Sequence, residues 1–443
     1  MDIKRFFLFC WLALIVAYNG YAKDNNCNDK TQNQSGFQSE CPLFELHDLR
    51  TNPPKPVTVK HQGKEITLSS EQLSATIEWT YLSILGDEKG AQTIGRDYEA
   101  GHAESVKSLP ELLQRYQPHD AIPAIVEAAK DYQVVMLNEA HHVSMHRHFA
   151  QRLATALREI GFTHIAAETF ANPRAVESMN ERGYPLLSSG TYTPDPEFAQ
   201  FLRHSASLGY GFVYYEAKKG QGEREYSEAK NLADFLSANP DARLLVFAGY
   251  SHIREVTTDS GTKWMGKQFK DMTGIDPLTI DQAFGTGSYN LHEPYAPYSS
   301  VESEITDKST VFKNDDNQWL ATSEFEDGAV DITVFHPRET IVNGGRASWL
   351  ANDPDRLSYT LVDAQLSDLE KFNFTITAPF VVKAFVQNEW EAHKHQAIPM
   401  DQVLVEHGNI IPQLLLPEGK YNIRIETLDN PSIEVDVIHI TGK

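Results

Sequence analysis

Five short apolar runs, each followed by a polar, helix-forming stretch, fill residues 133–281 and constrain this chain more than any other feature. The runs are 133–137 (QVVML), 164–170 (HIAAETF), 211–217 (GFVYYEA), 242–248 (ARLLVFA) and 277–281 (PLTID). They do not alternate polar with apolar, as strands buried on both faces do not. Between the first two, Phe149, Leu153, Leu157 and Ile160 recur at helical spacing and Gly161 follows as a stop. Further helices are expected over 223–236 and 264–273. Strands separated by helices specify a parallel sheet joined by right-handed crossovers.

In such sheets ligands bind beyond the carboxyl ends of the strands. The first run leads into Asn138-Glu139-Ala140-His141-His142, with His146 and His148 just beyond; the second carries Glu168, the third Glu216, the fourth leads into Gly249-Tyr250-Ser251-His252, and the fifth ends in Asp281. Every strand therefore delivers an ionisable group to one edge. Glu168 follows two alanines in a buried strand, where an unpaired carboxylate is costly. Structural roles compete for some of these groups. Glu139 could serve a helix N-terminus, one of His141 and His142 is expected to be structural, His146 and His148 read as solvated helix residues, and Asp281 could cap its own loop. Arg224 opens a helix, where a cation is unfavourable for the helix dipole, so an anionic partner such as Glu168 or a substrate carboxylate is expected.

A cleft of Glu and His residues supports two chemistries. Histidine can take a proton from water while a carboxylate orients the ring, or the same groups can hold a divalent metal that acidifies a bound water. The sequence leaves this choice open. It carries no G-x-S-x-G elbow, no P-loop, no G-x-G-x-x-G after a strand and no HExxH.

The motifs resemble a superfamily that groups erythromycin esterase-like proteins, Tiki-type metalloproteases and ChaN-like haem-binding proteins. Asn138-Glu139-Ala140-His141-His142 stands where that group has a GExxH or GExH motif, with Asn138 in place of the usual Gly. Glu168 ends the second strand, Arg224 opens the later helix and Gly249-Tyr250-Ser251-His252 matches GxxH. The resemblance spans roughly residues 120–285. An esterase-like member would use His142 as general base, supported by Glu139, Glu168, Arg224 and His252. A Tiki-like member would bind a divalent metal through His141, His252, Glu139 and Glu168. A ChaN-like member would carry haem or another small ligand without catalysis.

The rest of the chain frames this region. With 443 residues, more than one domain is expected. Residues 1–22 read as a signal peptide: Lys4-Arg5, an apolar run over 6–17, and Gly20-Tyr21-Ala22 before Lys23. That places the protein in the periplasm or outside the cell, with no membrane span left after cleavage. Cys10 would leave with the signal, and a disulfide between Cys27 and Cys41 is expected. Residues 23–117 read as a loose arm followed by helices, residues 118–300 as the α/β domain, and residues 301–443 as an all-β, sandwich-like domain punctuated by Asn343-Gly344-Gly345, Pro417-Glu418-Gly419 and Asn430-Pro431. A formal net charge of −22 argues against nucleic acid as a partner. The expectation is an exported hydrolase acting on an ester or amide bond of a small molecule or peptide, with or without a metal; a haem or small-ligand carrier is the alternative.

Overall fold

The structure is a computed structural model that describes residues 37–61, 64–99, 114–218, 220–258, 261–287, 298, 301–321, 328–342, 345–361, 377–407 and 412–442. The signal segment, Cys10 and Cys27 lie outside the described residues, and with them the expected Cys27–Cys41 pairing.

The chain opens with α1 (Pro42–Thr51), a hairpin of β1 (Val57–His61) and β2 (Lys64–Leu68), α2 (Ser70–Ile84) and α3 (Glu88–Glu99). Part of the stretch read as a loose arm is thus ordered. Proline in its first turn starts α1, and Ser69 and Gln72 form a reciprocal capping box at α2. Then come β3 (Tyr116–Asp120), α4 (Ala121–Ala129), β4 (Val134–Glu139), α5 (Ser144–Glu159), β5 (His164–Ala167), α6 (Pro173–Arg182), α7 (Pro196–Ser207), β6 (Gly211–Val213), α8 (Arg224–Ala238), β7 (Leu244–Gly249), α9 (Met265–Thr273) and β8 (Leu278–Asp281).

The parallel sheet expected from the apolar runs is present, six strands wide in the order β10-β8-β4-β7-β5-β6. Its last strand, β10 (Ile332–Thr333), comes from the 329–335 segment that reads as part of the β-rich tail. β9 (Thr310–Asn314) likewise turns back to pair antiparallel with β3. Strands from both sides of residue 300 therefore build one unit. Side chains alternate across the sheet. Val135, Leu137, Ile165, Leu245 and Phe247 pack on α4, α5 and α7, while Val134, Met136, Ala166, Leu244 and Val246 pack on α8 and α9. Burial on both faces is why these strands read as continuous apolar runs.

After the short helix α10 (Ser348–Ala351), the tail forms β11 (Leu357–Thr360), β12 (Phe380–Val386), α11 (Gln387–His393), β13 (Asp401–Val405), β14 (Gln413–Leu416), β15 (Gly419–Thr427) and β16 (Ile433–Ile440). A four-stranded antiparallel sheet, β13-β12-β15-β16, and the β11-β14 pair share one apolar core. The fold is a parallel sheet flanked by helices, followed by this antiparallel β region. No described helix is long and apolar enough to cross a membrane.

Buried ion pairs fasten the β region to the α/β unit. Arg356 donates to both carboxylate oxygens of Glu197 on α7, at 2.7 and 2.9 Å, and to the Leu415 carbonyl. Arg203 grips Glu389 and the Ile398 carbonyl. Arg346 bonds Asp401 at 2.6 Å. His148 lies in the same seam, beside Trp349 and 3.7 Å from Glu197, so it is buried and not solvated. His146 is buried too; its Nδ1 accepts from the Ala140 amide and its Nε2 meets Thr286.

Removing one member of a buried pair leaves the other charged and unsolvated, a cost of about 3–5 kcal/mol. Arg356→Met is expected to destabilise the protein by roughly that amount, read as a lowered denaturant midpoint. An unchanged midpoint would mean that the seam carries little of the stability.

Candidate active site

Parallel pairing sets Glu139 opposite Gly249, so the ends of β4 and β7 lie side by side. Glu168 follows β5 on the other side of β7, and the Gly249 amide donates to its Oε2. The three strand ends therefore form one patch. Gly249 is required there: a Cβ on it would fall 2.5 Å from Cε1 and Nε2 of His141 and 3.1 Å from Glu168 Oε2. The absent side chain lets the Nε2 edge of His141 approach Glu168.

His141 is held from three directions. Its Nδ1 lies 2.8 Å from Glu139 Oε1, its ring stacks on Tyr192 with centroids 4.2 Å apart, and Tyr250 meets it edge-on. The Glu139 carboxylate is in turn held by Arg147 from α5, whose Nε donates to Oε2 at 2.8 Å. Arg147 also donates to the His141 carbonyl and pairs with Asp195 at 2.7 Å. Asp195 caps α7 through the Glu197 and Phe198 amides and accepts from Ser83 and Ser144. Burial would raise the Glu139 pKa, but Arg147 and His141 outweigh it and hold the carboxyl below its ordinary value. An ionised Glu139 at Nδ1 directs the His141 proton there and leaves Nε2 as the basic nitrogen.

The second half of the site centres on Arg224, the first residue of α8. Its Nη2 donates to Glu168 Oε1 at 2.7 Å and to Glu216 Oε2 at 3.3 Å, its Nε pairs with Glu228 at 2.5 Å, and its Nη1 lies 3.0 Å from His252 Nε2. The anionic partner expected for a cation at a helix start is present, and Glu168 is part of it. On the other side of the ring, His252 Nδ1 lies 2.9 Å from Glu225, which also accepts from the Met265 amide. Burial acts against Glu168 ionising, yet His252, Arg224 and His141 hold its pKa well below the usual carboxylate value. Burial also disfavours charge on His252, but Glu225 and Glu168 raise its pKa above the ordinary histidine value.

The structure thus brings together Glu139, His141, Glu168, Arg224 and His252, and Glu216 joins them through Arg224. His142 is placed differently. Its ring turns to the N-terminal helices, 5.1 Å from Trp79 and against Gly95, with Nδ1 3.3 Å from the Tyr250 hydroxyl. Burial first, then the charges of His141 and Arg147, lower its pKa to about 3. Asp281 is a loop anchor: it accepts from Asn138 at 2.7 Å and from the Ala283 amide. Asn138, standing where the resembled motif has glycine, bridges Asp281, the Tyr250 carbonyl and the Gln282 amide, and so ties the ends of β4, β7 and β8.

The set His141, His252, Glu139 and Glu168 fits a shared metal poorly. Both Glu139 oxygens are engaged by Arg147 and His141, and Glu168 is engaged by Arg224 and Gly249. Among the described residues, the side chains whose ligand atoms do converge are Glu225, Glu228 and His252. Arg147, Asp195, Tyr192, Glu225 and Glu228 are the residues that sequence reasoning missed. They lie on helices or loops, where no strand-end rule points, although Glu225 and Glu228 follow Arg224 on α8 three residues apart, on one helical face.

No known family model matches the chain, and no curated protein matches it. Among solved structures it is similar to the type III effector HopBA1 (16% identity, TM-score 0.28, covering 40% of this chain and 91% of that one). It is also similar to RRSP, a MARTX toxin effector domain from Vibrio vulnificus CMCP6 (12% identity, TM-score 0.27, 64% of this chain and 63% of that one). A third is the C-terminal region of Pasteurella multocida toxin, described as having a thiol-protease-like catalytic triad (8% identity, TM-score 0.28, 83% of this chain and 55% of that one). The chain thus spans less than two thirds of the second and third structures. Likenesses this loose carry no argument about activity.

The lowered pKa of Glu168 makes a signed prediction. A carboxylate whose folded pKa lies below its unfolded value of about 4.5 stabilises the fold above that pH, and the contribution is lost as pH falls through the folded value. Glu168→Gln is therefore expected to destabilise most near neutrality, with the gap to wild type closing below pH of about 4.5 in denaturation curves taken across pH. A gap that does not depend on pH would contradict the ionised assignment.

Proposed function

We propose that the chain is an exported hydrolase of the erythromycin esterase-like, Tiki and ChaN-like superfamily, cleaving an ester or amide bond in a small molecule or peptide. The observation that carries the reading is the buried Glu139–His141 pair, whose Nε2 edge faces Glu168 across Gly249. In this reading His141 Nε2 takes the proton of a water molecule, and Glu139 stabilises the resulting imidazolium. The water oxygen attacks the acyl carbon. Charge that develops on the acyl oxygen is offset by Arg224 and His252, whose positions are fixed in advance by Glu168 and Glu225. The leaving group receives a proton from the imidazolium or from His252. The motif order around Glu139, Glu168, Arg224 and Gly249–His252 supports the superfamily, and the basic start and apolar run of residues 1–22 support export.

The base in this mechanism is His141, since His142 is turned away and its pKa, lowered to about 3 by burial, makes it a weak base. A screen of ester and amide substrates should find turnover by the wild type. Glu139→Gln and His141→Asn are each expected to lower kcat/KM about 10²- to 10⁴-fold, and His142→Asn far less. Turnover that survives His141→Asn but is lost in His142→Asn would move the base to His142. Full activity in all three variants would sink the reading.

A further inference from the structure

Behind Arg224 four carboxyl groups crowd together. Glu168, Glu216, Glu225 and Glu228 are gathered around one guanidinium and the His252 imidazole, and Glu225, Glu228 and His252 are all buried. Each of those three offers one ligand atom, and the three atoms lie within 4.8 Å of one another. A second, independent feature marks the same spot. Tyr215 is buried, its hydroxyl has no hydrogen-bond partner among the described residues, and that hydroxyl lies in the field of Glu168, Glu216 and Glu228. A buried phenol normally finds a partner; one beside carboxylates without bonding any of them suits a group held between them.

We propose that Glu225, Glu228 and His252 form a divalent cation site, with the Tyr215 hydroxyl binding a water on the ion. One imidazole and two carboxylates suit Zn²⁺ or Mn²⁺. His252 Nδ1 lies 2.9 Å from Glu225 Oε2 and 4.0 Å from Glu228 Oε2. Ligand bonds of about 2.0–2.2 Å set neighbouring ligand atoms roughly 3.0–3.6 Å apart, so a small shift of Glu228 closes the set. The protons balance. Loading breaks the N–H bond at His252 Nδ1 and the O–H bond of the Glu228 carboxyl, and both protons leave to solvent as the freed lone pairs turn to the ion. Nε2, which faces the Arg224 Nη1 donor before loading, takes a proton back from solvent and donates it toward Glu168 Oε1, now 3.6 Å away. Arg224 Nη1, 3.0 Å from Nε2, then swings onto the carboxylates that Arg224 already pairs with. This site goes beyond the hydrolase reading, and its ligands differ from the His141, His252, Glu139 and Glu168 set.

The test reads metal and not turnover, so either idea can fail alone. The full chain is dialysed against Zn²⁺ or Mn²⁺ and its bound metal is measured. One equivalent is expected, with affinity lowered about tenfold or more in Glu225→Gln and Glu228→Gln, lowered severalfold in Tyr215→Phe and unchanged in Glu139→Gln. No bound equivalent at millimolar metal, or equal affinity in wild type and the Glu225→Gln/Glu228→Gln double variant, would overturn the proposal. So would loss of the metal in Glu139→Gln. Should the Glu228 variant not fold, Co²⁺ on the wild type decides: NMR signals of one coordinated histidine, assigned to His252, are expected, and coordination by His141, by two histidines or by none refutes the site.

Discussion

The β4 end of the carboxyl edge depends on one buried guanidinium. Arg147 sits on α5 with almost no exposure, between the carboxylates of Glu139 and Asp195. Without it two anions would lie in the interior beside apolar strands, a burial that proteins tolerate only with pairing. With it, the end of β4, the start of α7 and the His141 backbone become one rigid piece. The orientation of the His141 ring follows in part, because Arg147 holds the Glu139 carboxylate that accepts at Nδ1.

Arg224 plays the corresponding part on the other side of β7, but its surroundings are more crowded. Arg147 meets two carboxylates, Glu139 and Asp195; Arg224 meets three, with Glu225 a fourth nearby. The first arrangement is one of stability and orientation. The second keeps Glu168 ionised while burial, reinforced by Glu216 and Glu225, raises the Glu228 pKa well above that of an ordinary carboxyl. Unequal environments for neighbouring carboxyls characterise sites that move protons or hold cations.

The seam with the β region has a related logic. Arg356, Arg203 and Arg346 each cross it to a carboxylate. Planar guanidinium groups satisfy two acceptors at once in a dry interface, so the β region is held in one register against α7 and the edge-bearing sheet. Neighbouring parts of the site inherit that rigidity through α7, whose cap is Asp195.

The parallel sheet and the edge where these side chains gather were legible in the sequence because they rest on local rules. Runs such as 133–137 and 242–248 are apolar on both faces, and a parallel strand hands its next residue to the carboxyl edge whatever the rest of the chain does. Glu139, Glu168 and His252 followed from that rule, and Arg224 from the misfit of a cation at a helix start. Sequence could not decide between His141 and His142, since adjacent residues leave a strand end in opposite directions and only the packing of Trp79, Gly95 and Tyr192 shows which faces the site. Nor could it show that β9 and β10 return from the tail, because a short strand is assigned to a sheet by its partners and not by its own residues. Arg147, Asp195 and Glu228 escaped for the same physical reason. Charged residues on helices read as solvated faces, and only tertiary packing, by enclosing them with partners, turned them into the ions that hold the site.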